Sequence, residues 1–94
     1  MAYLLIRHKV KDYTAWKSNF DNAAEMRKAS GEKSYQILHP DDDAKNLVLL
    51  FEWDNLDNAR NHVAAPELKE AMQQAGVVEE PEIYFLEEVA RGSV

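Results

Sequence analysis

The chain has 94 residues, 46% of them hydrophobic and 30% charged, and a formal net charge of −6 at pH 7. This length and composition are typical of one small globular domain over residues 1–94. The acidic balance argues against nucleic-acid binding, because no basic stripe is present to attract phosphates. The absence of cysteine excludes disulfides, thiolate metal ligands and cysteine nucleophiles.

The first predicted element is a strand over residues 3–10, where successive side chains alternate between two faces. Leu4, Ile6 and His8 share one of these faces. The apolar run at residues 2–6 is too short for the core of a signal peptide, and no run elsewhere could span a bilayer. We therefore expect a cytoplasmic protein with no membrane partner.

A single helix is predicted over residues 12–30. Asp12 is suited to cap its N-terminus, and Gly31 is suited to end it in a left-handed conformation. Cations in the last turn would favour the helix dipole. Between these ends a bulky stripe recurs at helical spacing, comprising Tyr13, Trp16, Phe20, Ala23, Ala24 and Arg27.

Two strands and an interrupted helix are predicted next. Residues 33–39 alternate in polarity, and the apolar run at 46–53 suits a strand buried on both faces. Asp54 or Asn55 can cap the helix that follows. The residue before a proline avoids the helical region, so we expect a break near Ala65 and a restart with Pro66 as the first helical residue.

The last predicted strand covers residues 83–89, after Gly76 ends the second helical region. The order is therefore strand, helix, strand, strand, helix, strand. This is the split βαβ arrangement, so we predict an α+β, ferredoxin-like βαββαβ fold. It has a four-stranded antiparallel sheet with the helices on one face.

Both faces of the predicted sheet carry large apolar groups, although the helices can cover only one. If about 500 Å² of the second face remained exposed to water, the fold would lack a hydrophobic stabilisation on the order of 12 kcal/mol. The simplest cover is a second copy, packed face to face as a homodimer. The alternative is that edge residues and a terminal segment cover this face. The third strand shows the pattern, with Leu47, Leu49, Phe51 and Trp53 on one side and Val48 and Leu50 on the other.

Several segments resemble the dimeric α/β-barrel superfamily, which includes antibiotic biosynthesis monooxygenases, haem-degrading monooxygenases and many uncharacterised small proteins. They are H-K-V-K-D-Y-x-x-W at 8–16, E-W-D-N-L-D-N-A at 52–59, a histidine at 62, P-E-L-K-E-A-M at 66–72 and A-G-V at 75–77. The resemblance covers nearly the whole chain and is closest to an uncharacterised branch. It implies a dimeric α/β barrel with a pocket between the helices and the sheet of each subunit.

The resemblance also implies site residues. The monooxygenase branch has a tryptophan at the end of strand three and a histidine nine or ten residues later, which Trp53 and His62 match. An asparagine on strand one is common in that branch, whereas this chain has His8 or a neighbour there. By the same analogy His62 would ligate a haem iron, as an alternative to a reaction without a cofactor.

His62 and His8 are the candidate catalytic residues. Histidine titrates near neutral pH and can act as a base, a hydrogen-bond donor or a metal ligand. The competing interpretation of His62 is a half-exposed helix histidine. The competing interpretation of His8 is a solvated residue where the strand leaves the core, rather than a polar group in an apolar pocket.

Four aromatic residues are candidate substrate-binding groups. Trp53 can donate one N–H and offer a flat wall to an aromatic ligand, and Tyr35 can direct a hydroxyl into a cavity. Trp16 and Phe20 belong to the helix stripe. For all four the competing interpretation is core packing. No metal-binding spacing exists among the three histidines or the acidic residues.

These observations predict a cofactor-independent monooxygenase or cyclase acting on an aromatic or polyketide-like small molecule. The base would be His62 or His8, and Trp53 would position the substrate. The alternatives are a non-catalytic module that binds a hydrophobic small molecule, and a stress-response or assembly dimer of the same fold.

Overall fold

The computed structural model describes residues 2–94, which form a four-stranded antiparallel sheet with helices packed against one face. The strand order is β2-β3-β1-β4, which is the ferredoxin-like α+β fold predicted from the sequence. Each of the two predicted helical regions is divided into two helices. The elements are β1 (Ala2–Lys9), α1 (Tyr13–Asn22), α2 (Ala24–Ser30), β2 (Glu32–Leu38), β3 (Asn46–Trp53), α3 (Leu56–Ala64), α4 (Pro66–Gln74) and β4 (Glu82–Glu87).

The register of the two central strands places one apolar face under the helices. Leu4 lies opposite Phe51, Ile6 opposite Leu49, and His8 opposite Leu47. Because side chains alternate along a strand, these residues share one face of the sheet. They form the core with the residues that the helices contribute, chiefly Trp16 and Ala59.

The second face of the sheet, the open face, carries Tyr3, Leu5, Leu38, Val48, Leu50, Tyr84 and Leu86. Within residues 2–94, three of these side chains remain substantially uncovered: Leu38 is 46% exposed, Tyr84 49% and Leu86 38%. The structure therefore retains the uncovered apolar surface that the sequence pattern predicts.

The last strand is shorter than predicted. β4 ends at Glu87, not at residue 89, and Val89 is almost completely exposed. The reason lies in the partner strand, because Glu87 pairs with Ala2, the first residue of β1. Among residues 2–94, that pair is the last of the ladder between the two strands.

The predicted single helix over 12–30 is wrong at Ala23, where the chain leaves helical geometry with φ −91° and ψ 5°. The amide of Ala23 donates to the carbonyls of both Asn19 and Phe20, which tightens the last turn of α1. The Phe20 carbonyl also accepts from Nη1 of Arg27. A side chain from α2 therefore satisfies a carbonyl at the end of α1.

The break before Pro66 is confirmed. Ala65 has an extended backbone, with φ −67° and ψ 129°, and α4 begins at Pro66. Pro66 needs no amide partner at that position, and its ring excludes helical geometry at the residue before it. None of the described helices has the length and apolar character that crossing a bilayer requires.

Gly31 ends α2 and brings the start of β2 against the end of β3. Its φ of +124° lies in the region that favours glycine. A Cβ at this position would lie 2.5 Å from Oδ1 of Asp54. The same carboxylate accepts from the amide of Asn55 at 2.7 Å and from Nδ2 of Asn58, so it is tied to the start of α3.

We predict that Gly31→Ala lowers the free energy of unfolding by about 1–3 kcal/mol, because the alanine is strained at positive φ and displaces Asp54. Urea denaturation measures this change. Gly92→Ala is the matched control, since a Cβ at Gly92 meets nothing within 4 Å. Equal stability of the two variants would contradict the prediction.

Candidate functional site

A cavity of about 120 Å³ lies between the buried face of the sheet and the helices. Ile6, Leu49 and Phe51 contribute an apolar floor, and α4 contributes Leu68 and Met72 to the roof. Exposed residues such as Asn19, Met26 and Gln74 also line it, so the cavity opens to the surface between the helices. Because about 150 Å³ is enough to hold benzene, this space suits roughly one aromatic ring.

His8 stands in the wall of the cavity and is only 4% exposed. Its ring meets Trp16 edge to face, with centroids 5.6 Å apart. Neither ring nitrogen has a hydrogen-bond partner among residues 2–94. Buried polar atoms are normally paired, so these two nitrogens are the least satisfied groups of the site. Of the two interpretations left open by the sequence, the buried one describes the structure.

The burial of His8 sets its charge. Transfer from water disfavours the imidazolium form, and this lowers the pKa of His8 from 6.5 to about 4. At neutral pH the side chain is therefore uncharged. The ring then carries one hydrogen-bond acceptor and one N–H donor, both buried and without a partner among residues 2–94.

His62 lies in the last turn of α3 and is half-buried. Burial lowers its pKa, and the positive charge of Arg27 lowers it further. The imidazole packs against Trp53, with ring centroids 5.0 Å apart. His62 lines the cavity and also an outer cleft between α2 and α4, so it forms part of the wall between the two.

Of the six residues predicted for the site, the structure brings four to the cavity: His8, His62, Trp16 and Phe20. Trp16 and Phe20 stack with centroids 4.9 Å apart and form one aromatic side of the space.

The structure places Trp53 and Tyr35 outside the cavity lining. Trp53 is 2% exposed and lies beneath His62, where its Nε1 has no hydrogen-bond partner among residues 2–94. Tyr35 is 45% exposed and packs edge to face on Phe20, with centroids 4.9 Å apart. Their proposed contact with a substrate therefore stays a prediction.

Arg27 is a cavity residue whose role the sequence analysis missed. Its side chain is 5% exposed, and its guanidinium carbon lies 3.6 Å from the centroid of the Phe20 ring. Nε donates to both carboxylate oxygens of Glu32, at 3.0 and 3.1 Å. The available signal was its place in the apolar stripe of the first helix, where an arginine must be buried or paired.

The part of the chain that is described contains no candidate metal-binding site. Within residues 2–94, no group of three or more histidine, aspartate or glutamate side chains is placed to hold a metal ion.

The sequence pattern of the antibiotic biosynthesis monooxygenase family matches residues 3–74. The chain belongs to this family. No curated protein sequence matches it.

Solved structures of similar fold agree with this assignment. One is SnoaB, a cofactor-independent oxygenase from Streptomyces nogalater, which is 18% identical, with a TM-score of 0.69 over 99% of this chain and 95% of that one. Another is Rv0793 from Mycobacterium tuberculosis, at 16% identity and a TM-score of 0.70 over 98% of each chain. A conserved protein from Methanosarcina mazei Go1 is 17% identical, with a TM-score of 0.70 over 90% of this chain and 89% of that one. At these identities the likeness shows the fold alone.

Haem, the alternative that the superfamily resemblance raised, is larger than the enclosed part of the cavity. A cavity of about 120 Å³ takes roughly one ring, whereas a porphyrin joins four pyrrole rings in one plane. His62, the proposed ligand, presses against Trp53 at the cavity wall.

The depressed pKa of His8 predicts an acid-sensitive fold. The unfolded chain binds a proton at His8 below about pH 6.5, whereas the folded chain does so only near pH 4. The unfolded state therefore binds more protons between these values, and stability falls as the pH drops through this window. A shift of this size corresponds to about 3 kcal/mol.

The wild-type protein loses stability between pH 6.5 and 4 as His8 takes up a proton on unfolding. We predict that His8→Leu loses about 3 kcal/mol less stability than the wild type over this range. Denaturant unfolding across this range measures the difference between the two proteins, which isolates His8 from His62. His39→Gln is the control, because His39 is exposed. Parallel pH profiles for the wild type and His8→Leu would refute the prediction.

Proposed function

We propose that the protein is a cofactor-independent monooxygenase acting on a phenolic or enolic aromatic small molecule, with His8 as the base. The observation that carries the proposal is the imidazole of His8, buried in the cavity wall with both nitrogens unpartnered among residues 2–94. A ligand with an acidic O–H or C–H would supply the missing partner. Such a bond is the first requirement for proton abstraction.

The chemistry requires only the substrate and oxygen. Removal of a proton from an activated CH₂ group conjugated to a phenol gives an electron-rich anion, which transfers electrons to O₂ and bonds to it. Loss of water from the resulting hydroperoxide leaves a carbonyl, so that CH₂ and O₂ become C=O and H₂O. The substrate supplies all four electrons, and no separate reductant enters the balance.

The shape of the cavity supports an aromatic substrate. Trp16 and Phe20 form a stacked wall against which a planar ring can pack. The volume of about 120 Å³ accommodates the reacting ring, and the opening near Met26 leaves room for the rest of a fused-ring or polyketide-like molecule. The fold shared with SnoaB, a cofactor-independent oxygenase, supports the same reaction class.

His62 is the second candidate for the base, because it also lines the cavity with a lowered pKa. Its contact with Trp53 restrains the orientation of the imidazole. In this proposal Trp53 acts through His62 as a positioning residue and does not bind the substrate.

A non-catalytic binding module is the competing function, and the pKa of His8 favours it. An imidazole with a pKa of about 4 is a weak base but a good neutral hydrogen-bonding group. Oxygen consumption separates the two functions, because a binding module alters the melting temperature with its ligand but does not turn it over.

We predict that hydroxyarenes with an activated CH₂ group support oxygen uptake, and that His8→Leu lowers kcat by about 10²- to 10⁴-fold, the usual contribution of a general base. An oxygen electrode measures the rate across a panel of single-ring and fused-ring compounds. His62→Leu tests the second candidate, and His39→Gln is the surface control.

Two results would contradict parts of this proposal. Ligand-induced melting shifts without oxygen uptake across the panel would favour the binding module. Full oxygen uptake by His8→Leu would transfer the role of base to His62 or to the substrate itself.

We also propose that the protein is a homodimer that buries the open face of the sheet. Leu5 lies between Leu50 and Tyr84 on this face, and Leu86 continues the patch on β4. A contiguous apolar surface of this kind marks an interface, and a two-fold axis would cover the face of each copy with the other.

We predict a mass in solution of twice the chain mass of 10.8 kDa. Leu86→Glu should shift sedimentation equilibrium toward the monomer, since each dimer would then bury two unpaired carboxylates. Lys28→Glu, on the exposed surface of α2, is the matched control. A monomeric wild-type protein at micromolar concentration would overturn the dimer.

A further inference from the structure

Arg27 places a full positive charge in the wall of an otherwise apolar cavity. The residue is 5% exposed, and its guanidinium carbon lies over the ring of Phe20. Burial of such a charge is unfavourable unless partners compensate for it, and a buried ion pair is weak support for stability by itself. The position of Arg27 therefore calls for a functional explanation as well as a structural one.

The hydrogen bonds of Arg27 leave part of the guanidinium available. Nε donates to Glu32, and Nη1 donates to the carbonyl of Phe20. Nη2 has no hydrogen-bond partner within residues 2–94, nor is it among the fully buried unpartnered atoms. Two N–H donors are therefore held in place by the rest of the group and are not engaged by residues 2–94, and Arg27 lines both the cavity and an outer cleft beside Glu32.

The positive charge of Arg27 acts on His62 as well as on Glu32. It reaches His62, whose pKa it lowers. Burial raises the pKa of Glu32 even though Arg27 acts in the opposite direction. The cavity lining therefore includes a positive charge at Arg27 and a neutral imidazole at His8.

We propose that Arg27 is a specificity-determining residue that binds the anionic oxygen of a phenolate or enolate in this cavity. The geometry favours this ligand class because a rigid guanidinium donates well to an oxyanion. The stacked rings of Trp16 and Phe20 hold the aromatic part alongside. Glu32 is a positioning residue that fixes the guanidinium through Nε. The inference rests on the proposed function in one respect, namely that this cavity is the substrate site.

The preference has a chemical consequence. A phenol or enol whose anion is stabilised by Arg27 is more acidic when bound than when free, because the positive charge favours the ionised form. The cavity would therefore select substrates by the acidity of their hydroxyl group. A neutral molecule of the same shape would gain only the aromatic contacts.

Two probes of nearly equal shape test the inference by calorimetry. para-Nitrophenol is used above the pH at which it ionises, and para-nitrotoluene is its neutral counterpart. We expect the wild-type protein to bind the phenolate at least about tenfold more tightly than the toluene, the usual gain from a hydrogen bond to a charged group. Absorbance of bound para-nitrophenol should also show ionisation at a lower pH than in free solution.

Three variants complete the design. Arg27→Gln should lose the preference for the phenolate and keep the affinity for para-nitrotoluene. Glu32→Gln should bind the phenolate more tightly than the wild type, because it removes the competing carboxylate and keeps an acceptor for Nε; this variant tests the inference independently of the folding of Arg27→Gln. Arg60→Gln should behave as the wild type, since Arg60 stacks on Phe85 away from the cavity lining.

The outcomes separate this inference from the proposed function. Equal affinity of the wild-type protein for both probes would overturn the role of Arg27 and leave the cavity as an aromatic site. Binding of neither probe would overturn the cavity as the substrate site, and the role of Arg27 with it. An unchanged phenolate preference in Arg27→Gln would also overturn the inference.

Discussion

The antiparallel register of β1 against β3 is the constraint on which both the core and the cavity depend. It sets His8 opposite Leu47, on the face that the helices cover. A shift of one residue would exchange the two faces and carry Arg7 and Lys9 into the core. β4 pairs with β1 from the other side, with Arg7 opposite Glu82, so the register is fixed along both edges of the strand. The backbone thus holds His8 among apolar groups, with no hydrogen bond between the imidazole and residues 2–94.

The second constraint is the break in the first helical region. A continuous helix would use the carbonyl of Phe20 for its own backbone bond. At the turn, that carbonyl instead accepts from the amide of Ala23 and from Nη1 of Arg27. The guanidinium is therefore anchored at both ends, to Phe20 on α1 and to Glu32 at the start of β2. Stacking on the Phe20 ring completes its surroundings. The break at Ala23 therefore accompanies the burial of the Arg27 charge within the otherwise largely apolar stripe of this helical region.

The parts of the fold that the sequence predicted well depend on local signals. Alternation along the strands identified which residues share a face, and the effect of Pro66 on Ala65 is a property of two adjacent residues. Gly31 likewise marks its own position through a backbone conformation that other residues rarely adopt. Each of these signals can be recognised without knowledge of the tertiary structure.

The parts that were missed depend on contacts between distant segments. Alanine is a good helix former, so Ala23 gives no sequence signal for a break. The bond that competes with the helical one is donated by Nη1 of Arg27 to the Phe20 carbonyl. The burial of His8 could not be predicted because it depends on Trp16, a residue of α1 that packs against the imidazole at the end of β1. The sequence predicted which face of the sheet carries Trp53. Its separation from the cavity results from His62, which packs over the indole. How deeply a side chain is buried can be determined only from the packed structure.

The low pKa of His8 belongs to the cavity without a ligand, and this bears on its proposed role as a base. Desolvation alone depresses it, because no carboxylate or other acceptor among residues 2–94 bonds to the ring. An anion bound nearby supplies the opposite charge and favours the imidazolium, which raises the pKa of His8 toward that of the substrate. Proton transfer from an acidic substrate then converts two neutral groups into an ion pair, with Arg27 as a second cation beside the anion. In an apolar environment both attractions are stronger than in water. A weakly basic imidazole in the empty cavity is therefore compatible with proton abstraction in the occupied one, provided that the substrate itself carries the developing negative charge.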